Sequence, residues 1–296
     1  ALKGRQVFVG GTADAPQFEP ASRPITIRDL LTHTAGYYYD ASWSADPVPM
    51  DLMIRAKVWD ATTTDDFVAR VAQLPLNQQP GTKFRYGIHT DLLGAIVEKI
   101  SGERLDVFFQ KRIFTPLGMR DTGFWVPAEK RERLARIHQR NAAGKLELGS
   151  FYIEHGDPTP TSGFCSGGGG LYSTAADYAR FAQMLLNGGA LDGTRLLGRK
   201  TVEFMRQDHL TGLADPHPFG TKSLGFGLGV RVTTNPGASP VLGSAGTFGW
   251  DGAATTLVQM VAAERTVALL LALHLTFYED DIFALFITGY FSAIID

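Results

Sequence analysis

The sequence predicts an α+β protein, with a mainly helical part and an antiparallel sheet flanked by helices. Two observations carry this. In the middle of the chain, apolar residues recur at helical spacing, as in Leu92, Leu93, Ile96, Val97 and Ile100. Near the C-terminus, residues 257–261 and 266–273 are β-rich runs around a short polar break, Ala262-Ala263-Glu264-Arg265, which reads as a hairpin. Helices segregated from consecutive strands belong to the α+β class. The organisation expected is one domain over 1–296, mainly helical over 21–221, with the sheet and a C-terminal helix over 222–296.

The elements follow in order. Gln6-Val7-Phe8-Val9 reads as a short strand. Thr26 to His33 reads as a compact helix, with Thr26 and Asp29 at capping-box spacing and Gly36 ending it. From Tyr37-Tyr38-Tyr39 to about residue 60 the chain reads as irregular loop, its tyrosines half-buried with hydroxyls in water. Thr64-Asp65-Asp66 opens a helix carrying Phe67, Val68, Val71 and Leu74. Phe84 to Ile88 is short and extended, and Thr90 reads as the cap of the next helix, which Gly102 ends. Another helix covers about 104–114, and 120–165 is loop-rich. Thr174 and Asp177 form a second capping-box pattern, before a helix with Tyr178, Phe181, Met184 and Leu185 on its inner face. A helix at about 198–207 follows. Residues 226–232 read as one strand, 248–261 as another, and 280–295 as an apolar helix.

Bulk properties exclude several classes. At 44 % hydrophobic and 20 % charged, the chain is an ordinary globular protein. A net charge of −2 gives no electrostatic case for nucleic acid or an anionic membrane. No apolar run is long enough to span a bilayer, so no membrane insertion is expected. The single cysteine, Cys165, fits a reducing compartment, and a cytoplasmic protein is expected; a periplasmic protein without disulfides fits as well.

Motif searching removes further chemistries. There is no Gly-x-Ser-x-Gly nucleophile elbow, no His-Glu-x-x-His and no Cys-x-x-Cys, and the seven histidines are scattered, so neither a metal nor a cofactor is expected. The glycines at 167–170 lack the Gly-Lys-Ser/Thr ending of a phosphate loop. In Phe248-Gly249-Trp250-Asp251-Gly252-Ala253, the glycines weaken a strand, which is better explained if something approaches the backbone closely. Bare backbone beside a tryptophan suits the wall of a substrate site; the plainer reading is a bulged strand with a packed tryptophan.

Leu30-Leu31-Thr32-His33-Thr34-Ala35-Gly36, Phe84-Arg85-Tyr86-Gly87 with its helix, Ser166 to Asp177, Phe181 to Gly189, and the strand at Trp250 occur in an order that resembles the serine β-lactamase-like family. That family comprises class C β-lactamases, penicillin-binding-protein-like peptidases and related esterases. The resemblance implies the β-lactamase/transpeptidase-like fold and acyl transfer: a Ser-x-x-Lys serine attacks a carbonyl, a tyrosine and the lysine handle the proton, and backbone N–H groups hold the oxyanion. Tyr86 matches the tyrosine of the Tyr-x-Asn motif. A tyrosine ordinarily titrates near 10, so a neighbouring cation would have to lower it. Trp250-Asp251-Gly252 matches the Lys/His-x-Gly strand, which makes the N–H of Ala253 an oxyanion donor.

Two departures matter. No lysine has Ser or Thr three residues before it, so Ser-x-x-Lys is missing, and only residues 1–29 precede Leu30. The expectation is a chain lacking its N-terminal part; the rival is a short, catalytically dead form. Further, Ile88 stands in place of the motif asparagine and Trp250 in place of Lys/His. Isoleucine makes no side-chain hydrogen bond and tryptophan does not pair with a carboxylate. This looks like the esterase branch (family VIII carboxylesterase-like), with a small-molecule ester as substrate; a β-lactamase or D-amino-acid peptidase and a non-catalytic binding protein are the alternatives. Tyr37, Tyr38, Trp59, Phe248 and Trp250 are the aromatic candidates for an acyl pocket, with Ile88 and Gly252 beside them. Asp251 reads as a solvated or capping residue, His33 as helix-end packing, His89 as helix-start sequence that could instead tune Tyr86, and Cys165 as a small buried residue.

Overall fold

The structure, a computed structural model, describes residues 2–39, 47–149, 163–275 and 281–295. It divides into two compact units: one of Ala1–Phe108, Thr161–Gly170 and His209–Pro218, the other of Phe109–Pro160, Leu171–Asp208 and Phe219–Asp296.

The first unit opens with a hairpin, β1 (Gln6–Thr12) and β2 (Ala15–Pro20), with a bulge between Phe8 and Gly10. Its second strand, Pro-flanked and largely exposed, carries no apolar alternation. Helix α1 (Ile27–Leu31) starts where its capping box places it: Thr26 Oγ1 accepts from the Asp29 N–H, and the Asp29 carboxylate accepts from the Thr26 N–H. The helix ends at Thr32, before Gly36, because His33 takes the left-handed turn itself, at φ 53°. Arg23 grips buried Asp29 through two hydrogen bonds of 2.7 and 2.8 Å.

Helix α2 (Pro47–Ala56) occupies part of the stretch expected to be irregular. Pro47 and Pro49 both lie in its first turn, where the missing N–H has no helical partner to lose. The tyrosines are core residues, not half-wet ones. Tyr38 donates to the Pro49 carbonyl and Tyr39 to Asp91, whereas burial without a partner among the described residues pushes the Tyr37 hydroxyl up to about 12. Helix α3 (Thr64–Val71) is capped by Thr63. Helix α4 (His89–Ser101) begins one residue before the expected cap, Thr90, and has Ile88 at its N-cap with no side-chain cap bond. Fully buried Ile88 anchors this end, so core packing overrides capping preference. Gly102 ends α4 as expected.

Helix α5 (Leu105–Phe109) belongs to the first unit up to Phe108, and the chain continues through a π-helical turn into α6 (Thr115–Leu117) in the second. The stretch expected to be loop-rich contributes β3 (His138–Arg140) and β4 (Leu146–Leu148) to a small sheet. Helix α7 (Ala175–Leu186) is capped by Thr174, whose Oγ1 accepts from Asp177 N–H. The Asp177 carboxylate turns away from the expected box and accepts from Asp121 N and Thr122 Oγ1. A short pair, β5 (Ala190–Leu191) and β6 (Thr194–Arg195), precedes α8 (Arg199–Met205).

The main sheet is antiparallel, in the order β11-β10-β9-β8-β7. Its strands are β7 (Leu224–Phe226), β8 (Arg231–Thr233), β9 (Phe248–Gly252), β10 (Thr256–Val261) and β11 (Thr266–Leu271). Two expectations are corrected here. The run 226–232 is not one strand, because Gly227 and Gly229 form the turn between β7 and β8, with Gly227 N–H bonded to the Val230 carbonyl and Gly229 at φ 78°. The run 248–261 is two strands, because the chain reverses at 253–255 with Thr255 at φ 60°. Helix α7 packs on β10 and β11, its Met184 and Leu185 joining Val232, Phe248 and Met260 in one core. Strand β12 (His274–Leu275) pairs parallel with β3, and α9 (Ile282–Ser292) is the C-terminal helix. No helix among the described residues is long and apolar enough to cross a membrane.

An ion pair staples the middle of the sheet. Arg231 Nη1 lies 2.6 Å from Asp251 Oδ2, with side chains only 14 % and 11 % exposed. Asp251 is therefore not a solvated residue. Breaking a buried pair on one side leaves an uncompensated charge, so Arg231→Met is expected to cost about 3–5 kcal/mol, read from urea midpoints. A loss under about 1 kcal/mol, the range of exposed pairs, would show that the pair is not desolvated. Asp29 behaves differently with pH. Burial raises its pKa, but the bonds from Arg23 and Thr26 outweigh burial and bring it below the ordinary carboxylate value. Its contribution is thus present at neutral pH and lost as pH falls through the folded-state value. The stability gap between the parent and Arg23→Met is expected to shrink in acid; a gap independent of pH would contradict this.

Candidate active site

The candidate residues fall into two groups, one in each unit. In the first, Tyr86 lies on the unassigned stretch before α4 and is half-buried. Local packing fixes it. The Arg85 N–H donates to the His33 carbonyl at 2.8 Å. Gly87 backs onto Tyr38 so closely that a Cβ would fall 2.5 Å from the Tyr38 Cα, which excludes any larger residue without backbone movement. Ile88 and Tyr37 are both 0 % exposed, so the structure places them in the core supporting this surface.

Two rings flank Tyr86: His33 at 4.9 Å between centroids and Tyr39 at 5.2 Å. Tyr39 stacks on Trp59 at 5.9 Å. His33 does more than close a helix end, since its Nδ1 lies 3.0 Å from the Nδ1 of His89. Both rings are fully buried. Burial and the neighbouring His89 hold His33 well below the ordinary histidine value; burial brings His89 down to about 4 against the Gly87 carbonyl and Asp29, which favour a proton there.

Asp91, which sequence reasoning passed over, organises the same region. Its Oδ1 accepts from Ser166 Oγ at 2.6 Å and from the Gly168 N–H at 3.0 Å, and its Oδ2 from the Tyr39 hydroxyl at 3.3 Å. Burial raises its pKa, and these three donors oppose that. The glycines at 167–170 are therefore a tight backbone segment gripped by a carboxylate. An aspartate in the first turn of a helix reads as ordinary dipole chemistry, which hid the role. Cys165 is buried beside this segment, and burial pushes its thiol up, away from nucleophile chemistry.

In the second unit, Trp250 lies on β9. Its ring meets Phe226 edge-on at 5.5 Å and Phe219 at 6.0 Å, and the Arg231 guanidinium lies 5.5 Å from its centroid. That distance is within cation–π range. Gly249 admits a close approach, as expected, but the approaching group is the Val258 carbonyl of β10, not a substrate. Gly252 is the last paired residue of β9, and Ala253 opens the turn that follows, one residue beyond the strand expected to hold it. Phe248, 2 % exposed, sits in the core with α7. Among the described residues, no cluster of His, Cys, Asp or Glu is arranged to hold a metal ion.

The family model for Beta-lactamase matches residues 15–283. Protein Rv1367c of Mycobacterium tuberculosis is 38 % identical over 262 residues, covering 86 % of this chain and 64 % of that protein. Lovastatin esterase of Penicillium rubens is 34 % identical over 256 residues, covering 78 % and 60 %. Among solved structures, EstCE1, a hydrolase with promiscuous acyltransferase activity, superposes with a TM-score of 0.70 at 26 % identity, covering 85 % of this chain and 67 % of that one. The chain thus spans less than two thirds of the length of these curated relatives. It belongs to the Beta-lactamase family, a family of serine hydrolase type with esterase and acyltransferase neighbours, and has the fold of that family.

Proposed function

We propose that the protein bearing this chain is a serine esterase that acts on neutral, apolar acyl esters. The observation that carries this reading is the pair Ile88 and Trp250, apolar and aromatic at the two motif positions where polar groups would meet an amide and a carboxylate. The relatives named lovastatin esterase and EstCE1 support it. In this reading a serine hydroxyl attacks the ester carbonyl, and Tyr86 accepts its proton. The Ala253 N–H helps hold the oxyanion; the C–O bond to the alcohol breaks, and the alcohol leaves with that proton. Water, or a second alcohol, then attacks the acyl-enzyme and releases the acid or a new ester. Trp250 and Gly252 are the acyl-site residues of this reading, while Tyr37, Ile88 and Phe248 serve it as core residues of their own units. The Ser-x-x-Lys pair is not among these 296 residues. The proposal therefore extends to a parent protein that supplies it.

Three measurements test the reading. A fluorophosphonate probe on the parent protein is expected to add one adduct, on a serine of a Ser-x-x-Lys motif; no adduct would favour a binding protein with this fold. Short-chain p-nitrophenyl esters are expected to turn over faster than nitrocefin, and the reverse order would favour the β-lactamase alternative. Tyr86→Phe is expected to lower kcat by about 10²–10⁴ with the fold unchanged, the range for a positioned proton-transfer group. Undiminished turnover would remove Tyr86 from the mechanism.

A further inference from the structure

Behind Tyr86 lie two histidines to which the proposed chemistry assigns no role. The Nδ1 atoms of His33 and His89 are 3.0 Å apart, so one ring donates and the other accepts, with a single proton between them. The surroundings indicate which. The Gly87 carbonyl favours a proton on His89. His89 Nε2 is buried without a partner among the described residues. A bare nitrogen there leaves only an unfilled lone pair, whereas a proton there would be an orphan N–H, the rarer defect in protein interiors. His89 therefore donates from Nδ1, and His33 accepts and carries its own proton on Nε2.

His33 is tied to Tyr86 in two ways. Its ring packs on the Tyr86 ring at 4.9 Å, and its carbonyl receives the N–H of Arg85, the residue before Tyr86. That carbonyl is directed by a left-handed backbone at φ 53°, which a non-glycine residue keeps only when its surroundings hold it. The His89 bond is one such hold.

We infer that His33 and His89 form one neutral, hydrogen-bonded unit that positions Tyr86 for proton transfer, and that this unit works only while uncharged. The inference rests on the reading of Tyr86 as the proton-transfer group. Several groups face the pair. Phe84 and Tyr86 lie against His33, and Tyr37 lies 6.0 Å from His89. Asp29 of α1 attracts a proton to His89. Asp91, two residues along α4, is turned to Ser166 and Gly168, and Arg85 has its Nε 3.4 Å from Gln78. Burial outweighs the Asp29 attraction and holds His89 near a value of about 4. An unfolded histidine takes up its proton near 6.5. The stabilisation by the neutral pair is therefore complete above that range and is lost as pH falls toward the folded value.

The test is an NMR titration of the 296-residue chain labelled at histidine and tyrosine rings, beside His89→Leu and His89→Asn. In the parent chain the two histidines are expected to stay neutral through the ordinary histidine range, and the Tyr86 ring signal to move with them in stronger acid. His89→Leu is expected to displace the Tyr86 signal already at neutral pH. His89→Asn, whose amide N–H stands near the position of Nδ1–H, is expected to restore that signal and abolish the acid step. If His89→Leu does not fold, the asparagine variant carries the test through the acid step alone. An unmoved Tyr86 signal in folded His89→Leu, an acid step that survives in His89→Asn, or histidines titrating near 6.5 would each overturn the inference. In the nucleophile-bearing protein, His89→Leu is expected to lower kcat roughly tenfold with KM nearly unchanged, less than loss of the transfer group itself, with recovery in His89→Asn. If that protein turned over no ester, the esterase reading would fail while the ring titration still judged the pair.

Discussion

Both candidate surfaces depend on backbone segments approaching more closely than a methyl group allows. Gly87 lies flat against Tyr38, and Gly249 lies against the Val258 carbonyl. In the first case the contact brings Tyr86 up to the helix α4 that Ile88 anchors. In the second it lets β9 and β10 close around the residue next to Trp250. Packing at this distance is a shape constraint, since nothing between the two backbone segments can relax to accept a side chain. The aromatic residues of each site are set by these backbone contacts first and by their own packing second.

The polar groups around Tyr86 are arranged with equal economy. Asp91 accepts from three donors with no cation among them. A buried carboxylate of this kind is costly unless its lone pairs are filled, and here the filling groups are the serine and glycine of a loop and the hydroxyl of a core tyrosine. Asp29, by contrast, is held by a guanidinium and a helix start. One carboxylate orders a loop, and the other orders a helix.

What could be read from the sequence divides along physical lines. Thr26 with Asp29, and Thr174 at its helix start, are legible because a cap involves neighbours in the chain. The family and fold were legible from Leu30 to Gly36, Tyr86 and the strand at Trp250, because their spacing survives in one dimension. The glycines of 226–232 and 248–261 misled because a glycine serves equally in a strand interior, a bulge or a turn; only the Val258 carbonyl and the bond from Gly227 to Val230 separate these uses. Helix α2 was hidden by two prolines that happen to fall in its first turn. The His33–His89 pair and the Asp91 network were hidden for a different reason. Their partners are 56 and 75 residues apart, and each residue alone resembles ordinary helix-terminus sequence.

Trp250 stands on β9, the middle strand of five, with β8 and β10 bonded on either side. Amides in such a strand exchange with solvent only when a large part of the sheet opens. Tyr86 stands on a stretch with no regular structure, tied by single bonds and ring contacts. The two segments therefore differ in how they answer to local opening. The strand is as durable as the unit that carries it, while the stretch at Tyr86 opens in a smaller fluctuation. Loss of order at moderate temperature would reach Tyr86 before it reached Trp250.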